Sequence, residues 1–308
     1  MGFDLDTLRE AVSRHGRVAR VVVAEVKGSS PREVGAAMLV WAGGQSGTIG
    51  GGALEHELAG AALNLSHDRL TRHALGPDMG QCCGGAVCVL TEIYDADRLN
   101  ALSGDIVARG PGEMPLAVAR LLAHARGQGK RPDPQLLHTW FIEPVHRPTR
   151  EIWVWGAGHV GRAIVDILAP LPDLAITWVD TWPERFPETC PDGVTVLPAA
   201  NPAILADHAP KYAEHLILTF SHALDLELCH RLLHCGFGFC GLIGSKTKWA
   251  RFRKRLAALG HNPTQIATIT CPIGEPALGK HPQMIAIGVA TDLLKQKQYN
   301  TSQQEKRA

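Results

Sequence analysis

The groups best suited to chemistry in this 308-residue chain are two adjacent sulfurs and two kinds of glycine turn. Cys82 and Cys83 stand side by side, preceded by Gly80-Gln81 and followed by Gly84-Gly85. A thiolate framed by glycine is approachable, and as a soft ligand it suits polarizable metals and sulfur chemistry. The competing reading is two small apolar residues beside a turn. Upstream, Gly47-Thr48-Ile49-Gly50-Gly51-Gly52 precedes a helical stretch. Free N–H groups there would cradle a phosphate or a polar ring edge, unless the segment is only a loose hairpin. In the second half, Gly156-Ala157-Gly158-His159-Val160-Gly161 follows an apolar strand and opens a helix. In this pattern the first glycine permits the tight turn, the second lets a phosphate approach, and the third lets the helix pack on the sheet. Asp180 closes the next strand, where an acid can bond a ribose hydroxyl, and the ring of His159 either reaches a ligand or faces solvent. The turn alone suggests NAD(P), with the alternative that its glycines serve only packing.

The elements that must position these groups read in two grammars. The first half predicts a helix over 4–15 with a Thr7–Glu10 capping box, and strands over 18–26 and 36–41. A helix over 54–65, a strand over 86–93 and a helix over 115–126 follow. Pro132, Pro134, Pro144 and Pro148 among polar residues predict a linker. From 151 the pattern alternates: strands over 152–155, 176–180, 216–219 and 240–243, helices over 159–168 and 246–259, and a final helix from Pro282. Such alternation gives a parallel sheet covered on both faces. The expected fold class is α/β: an N-terminal α+β domain (1–130), a linker (131–150), and a C-terminal Rossmann-type doubly wound parallel-sheet domain (151–308).

Composition narrows the functions. Basic and acidic residues balance to a net charge of +1, which argues against a nucleic-acid partner. No apolar run reaches the roughly 20 residues that span a bilayer, so no membrane is expected. The acidic start Gly2-Phe3-Asp4-Leu5-Asp6 lacks the basic and apolar regions of a leader, which predicts a cytoplasmic protein. The eight cysteines are then expected as thiols, with no paired Cys-x-x-Cys zinc framework, although Cys88 could join Cys82 and Cys83. Fifteen histidines show no H-E-x-x-H or similar metal spacing. The helix after Ser245 carries Lys246, Lys248, Arg251, Arg253, Lys254 and Arg255 as a solvated basic face. Its expected buried face is Trp249, Phe252, Leu256 and Leu259.

Four segments resemble the N-terminal signature of the XdhC/CoxI family. They are Val26 to Arg32, Gly35-Ala36-Ala37-Met38, Ile49 to Glu55, and Gly80-Gln81-Cys82-Cys83-Gly84-Gly85. Gly156 to Gly161, Gly241-Leu242-Ile243-Gly244-Ser245-Lys246 and Pro272-Ile273-Gly274 resemble its Rossmann-type C-terminal domain. Two departures stand out. The family's Thr-His-Asp-His before Ala-Leu-Asp stands here as Thr219-Phe220-Ser221-His222 before Ala223-Leu224-Asp225. Its Asp-x-Arg appears as Asp180-Thr181-Trp182, with Arg185 later.

The resemblance implies a xanthine dehydrogenase accessory protein, an assembly factor with no catalytic residue of its own. Such proteins bind the molybdopterin form of molybdenum cofactor and hold it while a cysteine desulfurase supplies sulfur. They then pass it to the molybdenum subunit of the apo-enzyme. Carried over, Cys82 or Cys83 would contact molybdenum, Gln81, Gly50, Gly51 and Gly52 would contact the pterin, and Ser29, Ser30 and Arg32 join them as candidates. In the second half the candidates are Gly156, Gly158, His159, Gly161, Asp180 and His222. A homodimer is expected as the commonest assembly. Two other functions remain: an NAD(P)-dependent oxidoreductase, with His222 as its one acid–base candidate, and a sulfurtransferase carrying a persulfide on Cys82 or Cys83.

Overall fold

The computed structural model describes residues 2–76 and 84–305 and divides into two compact units, 1–147 and 148–308. The first contains α1 (Leu5–His15), β1 (Val18–Lys27), β2 (Ala37–Trp41), β3 (Gly44–Gly47), α2 (Gly52–Ala62), β4 (Arg69–Ala74) and β5 (Ala86–Tyr94). It continues with α3 (Ala96–Ala101), β6 (Ile106–Arg109), α4 (Leu116–Gln128), β7 (Gln135–Leu137) and β8 (Trp140–Pro144). The expected linker is therefore overturned: β7 and β8 are strands of the first unit. Its prolines flank these strands, as Pro132 and Pro134 before β7 and Pro144 at the end of β8, where no ladder N–H is lost. The first helix is capped by Asp4, whose carboxylate accepts the Thr7 N–H at 3.0 Å, in place of the expected Thr7–Glu10 box.

β1 is the spine of this unit. It pairs antiparallel with β2 and β5 in a sheet ordered β3-β2-β1-β5-β4, and a second sheet is ordered β6-β8-β7. Side chains alternate across a strand. Ala19, Val21 and Val23 accordingly pack with Leu54 and Leu58 of α2, while Val22 and Ala24 pack with Phe141 of β8. Arg20 falls among the apolar residues of the strand and is 2% exposed. Burying a lone guanidinium is prohibitive, so it must be paired. Its Nη1 lies 3.0 Å from Glu92 of β5 and 2.9 Å from Glu143 of β8, and Arg109 of β6 bonds both carboxylates as well. Tyr94 donates to Glu92 at 2.9 Å, and both guanidinium groups lie over the Phe3 ring. Burial works against the Glu92 charge, but Arg109 and then Arg20 outweigh it and hold the carboxyl down at about 2.

The second unit contains β9 (Arg150–Trp155), α5 (His159–Leu168), β10 (Leu174–Asp180), β11 (Val194–Pro198), α6 (Pro202–Leu205), β12 (Glu214–Ile217) and α7 (His222–Cys235). β13 (Phe239–Leu242), α8 (Lys246–Ala258), α9 (Pro263–Ile266), β14 (Ile269–Thr270) and α10 (Pro282–Glu305) complete it. All pairings are parallel, in the order β11-β10-β9-β12-β13-β14. Counted from β9, this is the 3-2-1-4-5-6 order of dinucleotide-binding sheets. Ile152 and Val154 join a core with α5 and α10, whereas Trp153 and Trp155 join the opposite core with α7 and α8. Both faces are covered, as the sequence pattern predicts for a Rossmann-type sheet. On α8 the expected faces need correction. Lys248 turns inward to Asp225, and Leu259, just past the helix, is 48% exposed.

The Arg20–Glu92–Glu143–Arg109 cluster makes a direct prediction. Glu143→Gln leaves two guanidinium groups sharing one carboxylate and is expected to cost about 3–5 kcal/mol, read as a lower urea midpoint with an unchanged slope. Because the folded Glu92 pKa lies below its ordinary 4.5, its contribution is present above about pH 4.5. It is lost as pH falls toward 2, an effect on the order of 3 kcal/mol in the wild type. Unfolding midpoints that stay flat across that window would refute the assignment.

Candidate functional site

In the first unit three signature segments meet. A Cβ on Gly50 would lie 2.6 Å from Cγ of Pro31, so the 48–52 loop rests on the 28–32 loop, and Arg32 adds a bond from Nη1 to the Thr48 carbonyl at 3.3 Å. A Cβ on Gly28 would lie 3.2 Å from Cα of Gly85, and one on Gly85 would strike the Ser29 carbonyl. Gly85 also accepts the Leu75 N–H at 2.8 Å. Gly85, the second glycine after Cys83, is thus seated directly against Gly28 and Ser29. Gln81, Cys82 and Cys83 themselves lie outside the described residues. Cys88, the third cysteine of the zinc reading, is buried in β5 with its Sγ 3.3 Å from Glu25.

The glycine loop is less open than its sequence suggests. Gly50, Gly51 and Gly52 all have positive φ, as only glycine tolerates readily. One oxygen of Glu55 accepts the N–H groups of Ile49 and Gly51 at 2.9 and 3.0 Å and the Thr48 hydroxyl. The Gly50 N–H donates to the Thr48 hydroxyl oxygen at 3.0 Å, so the amides of Ile49, Gly50 and Gly51, expected to be free, are all spent within the loop and on the carboxylate at the start of α2, a favourable place for it. Burial pushes the Glu55 carboxyl up, but the bonds from Thr48, Gly51 and Ile49 outweigh it and hold it below the usual range. Ser30 differs: its hydroxyl oxygen is buried and has no partner among the described residues. A buried hydroxyl without a partner costs about 1–3 kcal/mol, so a polar ligand atom there would gain it back. Ser29 and Gly52 are exposed. A cavity of about 750 Å³ in this unit is walled by Arg98 and Arg109, both already paired with carboxylates, and by none of these motif residues.

In the second unit the glycine turn sits after β9, at the switch point between β9 and β12 where ligands of such sheets bind. Its three glycines have different surroundings. A Cβ on Gly156 would press on the Leu218 carbonyl, and one on Gly161 would collide with the Gly156 carbonyl oxygen. Gly158 has nothing within 4 Å of a Cβ. Both outer glycines therefore serve packing, and the middle one faces open space. Asp180, the acid expected at a ribose, is held within the chain: it is 3% exposed, its Oδ2 accepts the Ala157 N–H at 2.6 Å, and its Oδ1 accepts the Thr181 N–H at 2.6 Å. These bonds brace the turn. Trp178 and Arg162 brace it further through the Gly156 and Ala157 carbonyls. His159 is exposed at the first turn of α5.

Beside the turn lies a cavity of about 320 Å³ at the carboxyl ends of β12 and β13. His222 and Ser245 line it, together with a lysine–aspartate pair that sequence reasoning missed as a site. Lys248 Nζ is 2.6 Å from Asp225 and 2.9 Å from the Ile243 carbonyl. Asp225 in turn accepts the Thr219 N–H and hydroxyl. This region holds the altered Thr219-Phe220-Ser221-His222 segment, with Ser221 capping α7. Phe220 is 66% exposed and stacks under Arg185.

Two family models match the chain. One, described as the XdhC and CoxI family, covers residues 11–74, and the other, the XdhC Rossmann domain, covers 152–293. Together they take in more than half of the sequence. The chain belongs to the XdhC family. A crystal structure described as a xanthine dehydrogenase from Bacillus halodurans is similar over 95% of both chains, with a TM-score of 0.70 and 21% identity. That likeness establishes a shared fold. The uncharacterised protein YqeB of Escherichia coli (strain K12) is 27% identical over 91% of this chain. The chain spans 43% of that relative's length. Among the described residues no helix is long and apolar enough to cross a membrane.

The glycines give a paired test. Gly161→Ala is expected to destabilise by about 1–3 kcal/mol through overpacking, whereas Gly158→Ala should stay within about 1 kcal/mol of wild type. Gly158→Ala is nevertheless expected to weaken any phosphate-bearing ligand of this crevice, measured by calorimetry. Equal melting temperatures for the two variants would show that the turn is not packed as described.

Proposed function

We propose that this XdhC-family protein is an assembly factor for a xanthine-dehydrogenase-type enzyme, taking up molybdenum cofactor in its first unit and handing it on. The observation that carries the reading is the convergence of Gly28–Arg32, Thr48–Gly52 and Gly84-Gly85, with the unpartnered Ser30 hydroxyl among them. The pterin and phosphate of the cargo present many hydrogen-bonding atoms. Ser30 and Arg32 are suited to hold them, and Gln81, Cys82 and Cys83 lead directly into Gly84-Gly85. When bound, the cargo supplies the molybdenum centre and its terminal ligand; Cys82 or Cys83 is the thiol proposed to meet it.

A carrier must also release. Glu55 already neutralises two of the loop amides, so a bound phosphate would rely on fewer donors than an open nest provides. That suits a transfer driven by tighter binding in the acceptor. The proposed partners are the molybdenum subunit of the acceptor enzyme and a cysteine desulfurase. A nicotinamide-dependent oxidoreductase has one observation in its favour, the open space at Gly158. Against it, Asp180 is committed to the turn itself.

Expression in a molybdopterin-producing host tests the reading. Pterin and molybdenum are expected to co-purify with the wild type. Loading should fall at least fivefold in Ser30→Val and in one of Cys82→Ala and Cys83→Ala. Full loading in both cysteine variants would remove the thiol role, and a wild type without pterin would overturn the proposal. Sulfur release from a persulfide donor by this protein alone would favour a sulfurtransferase.

A further inference from the structure

Three histidines of the second unit converge away from both sites described above. His230 and His234 lie one helical turn apart on α7, and His261 lies in the turn between α8 and α9. One ring nitrogen from each falls within 4.8 Å of the others, and His230 Nδ1 is 2.7 Å from His261 Nε2. The ring centroids are 4.6–4.9 Å apart. The sequence does hold a metal spacing after all: His-x-x-x-His at 230 and 234, which places both rings on one helix face.

We propose that His230, His234 and His261 form a binding site for a borderline first-row divalent cation of the zinc class. Three imidazoles and an open position taken by water are a familiar ligand set for such ions, with metal–nitrogen distances of about 2.0–2.1 Å. Tetrahedral ligands at that distance stand about 3.3 Å apart, and the separations here bracket this, from 2.7 Å up to 4.8 Å.

Several further observations agree. His261 is 4% exposed and His234 is exposed, so one ligand is fixed and one side is open to water. Among the described residues no carboxylate belongs to the cluster, so proton charge on these rings has no acidic partner within it. His234 also sits in the last turn of α7, where the helix dipole favours a cation.

The place in the fold suggests the role. α7 begins after Ser221 beside the crevice and runs back to the start of β13, so its last turn lies by the amino ends of the strands, the opposite end from the ligand crevice. A cation there would clamp the end of α7 to the α8–α9 turn and stiffen the helix that carries Asp225 and His222. The inference is independent of the molybdenum reading, since neither Ser30 nor the Cys82-Cys83 pair takes part.

Cobalt(II) titration of tag-free protein tests it, in a Cys82→Ser/Cys83→Ser/Cys235→Ser background that removes the adjacent thiol pair and the thiol beside His234. The expected result is a visible ligand-field band saturating at one equivalent, displaced by zinc. His234→Ala, at an exposed position, should keep its circular dichroism and weaken cobalt at least tenfold; His230→Asn repeats the comparison should that variant not fold. Zinc should raise the melting temperature of the parent and not of the variants. No band in the parent, or superimposable titrations of parent and variant, would overturn the site.

Discussion

A glycine turn at the end of a strand presents backbone N–H groups that the regular ladder cannot satisfy. Left bare and buried, each would cost as much as a lost hydrogen bond. Both units of this protein meet that constraint with a single internal carboxylate. In the first, Glu55 reaches back from α2 to Ile49 and Gly51. In the second, Asp180 reaches across from β10 to Ala157. Each acid takes a place where an incoming anion would otherwise bind. The loops are therefore ordered before any ligand arrives, and the ligand must find other donors or displace an ionised side chain.

This arrangement changes how the two glycine motifs are understood. A glycine-rich loop is usually taken as empty space awaiting a phosphate. Here the outer glycines of the Rossmann turn serve close backbone packing, and only Gly158 faces free volume. In the first unit the glycines let three loops touch, with Gly50 on Pro31 and Gly85 on Ser29. Contact between loops explains Gly28, Gly50 and Gly85, whereas Gly51 and Gly84 face open space. The unsatisfied groups that remain, notably the Ser30 hydroxyl, are few and specific.

Much of the second unit could be read directly from the residues. Ile152-Trp153-Val154-Trp155 is apolar without a break because alternate side chains feed two different cores, which is how a strand inside a covered parallel sheet must look. The position of Asp180 was equally legible, but its partner was not, since the choice between a ribose and the Ala157 amide is made by distances that no spacing encodes. β4 escaped notice because it is a polar edge strand, Arg69-Leu70-Thr71-Arg72-His73-Ala74, exposed over most of its length. β7 and β8 were hidden by their flanking prolines. The histidine triad went unseen because its third member comes from another element, at His261. Lys248 read as one more charge on a basic helix until the fold brought Asp225 to meet it.

The four charged side chains around β1 carry a consequence for how such a molecule can change over time. Arg20, Glu92, Arg109 and Glu143 come from four different strands, and two positive charges answer two negative ones. Any lone replacement strands an ion in the interior, and Glu92 and Glu143 are both fully buried. Mutational routes through this region are consequently closed one step at a time. The quartet is inherited as a block, or it is exchanged wholesale for an apolar filling of similar volume.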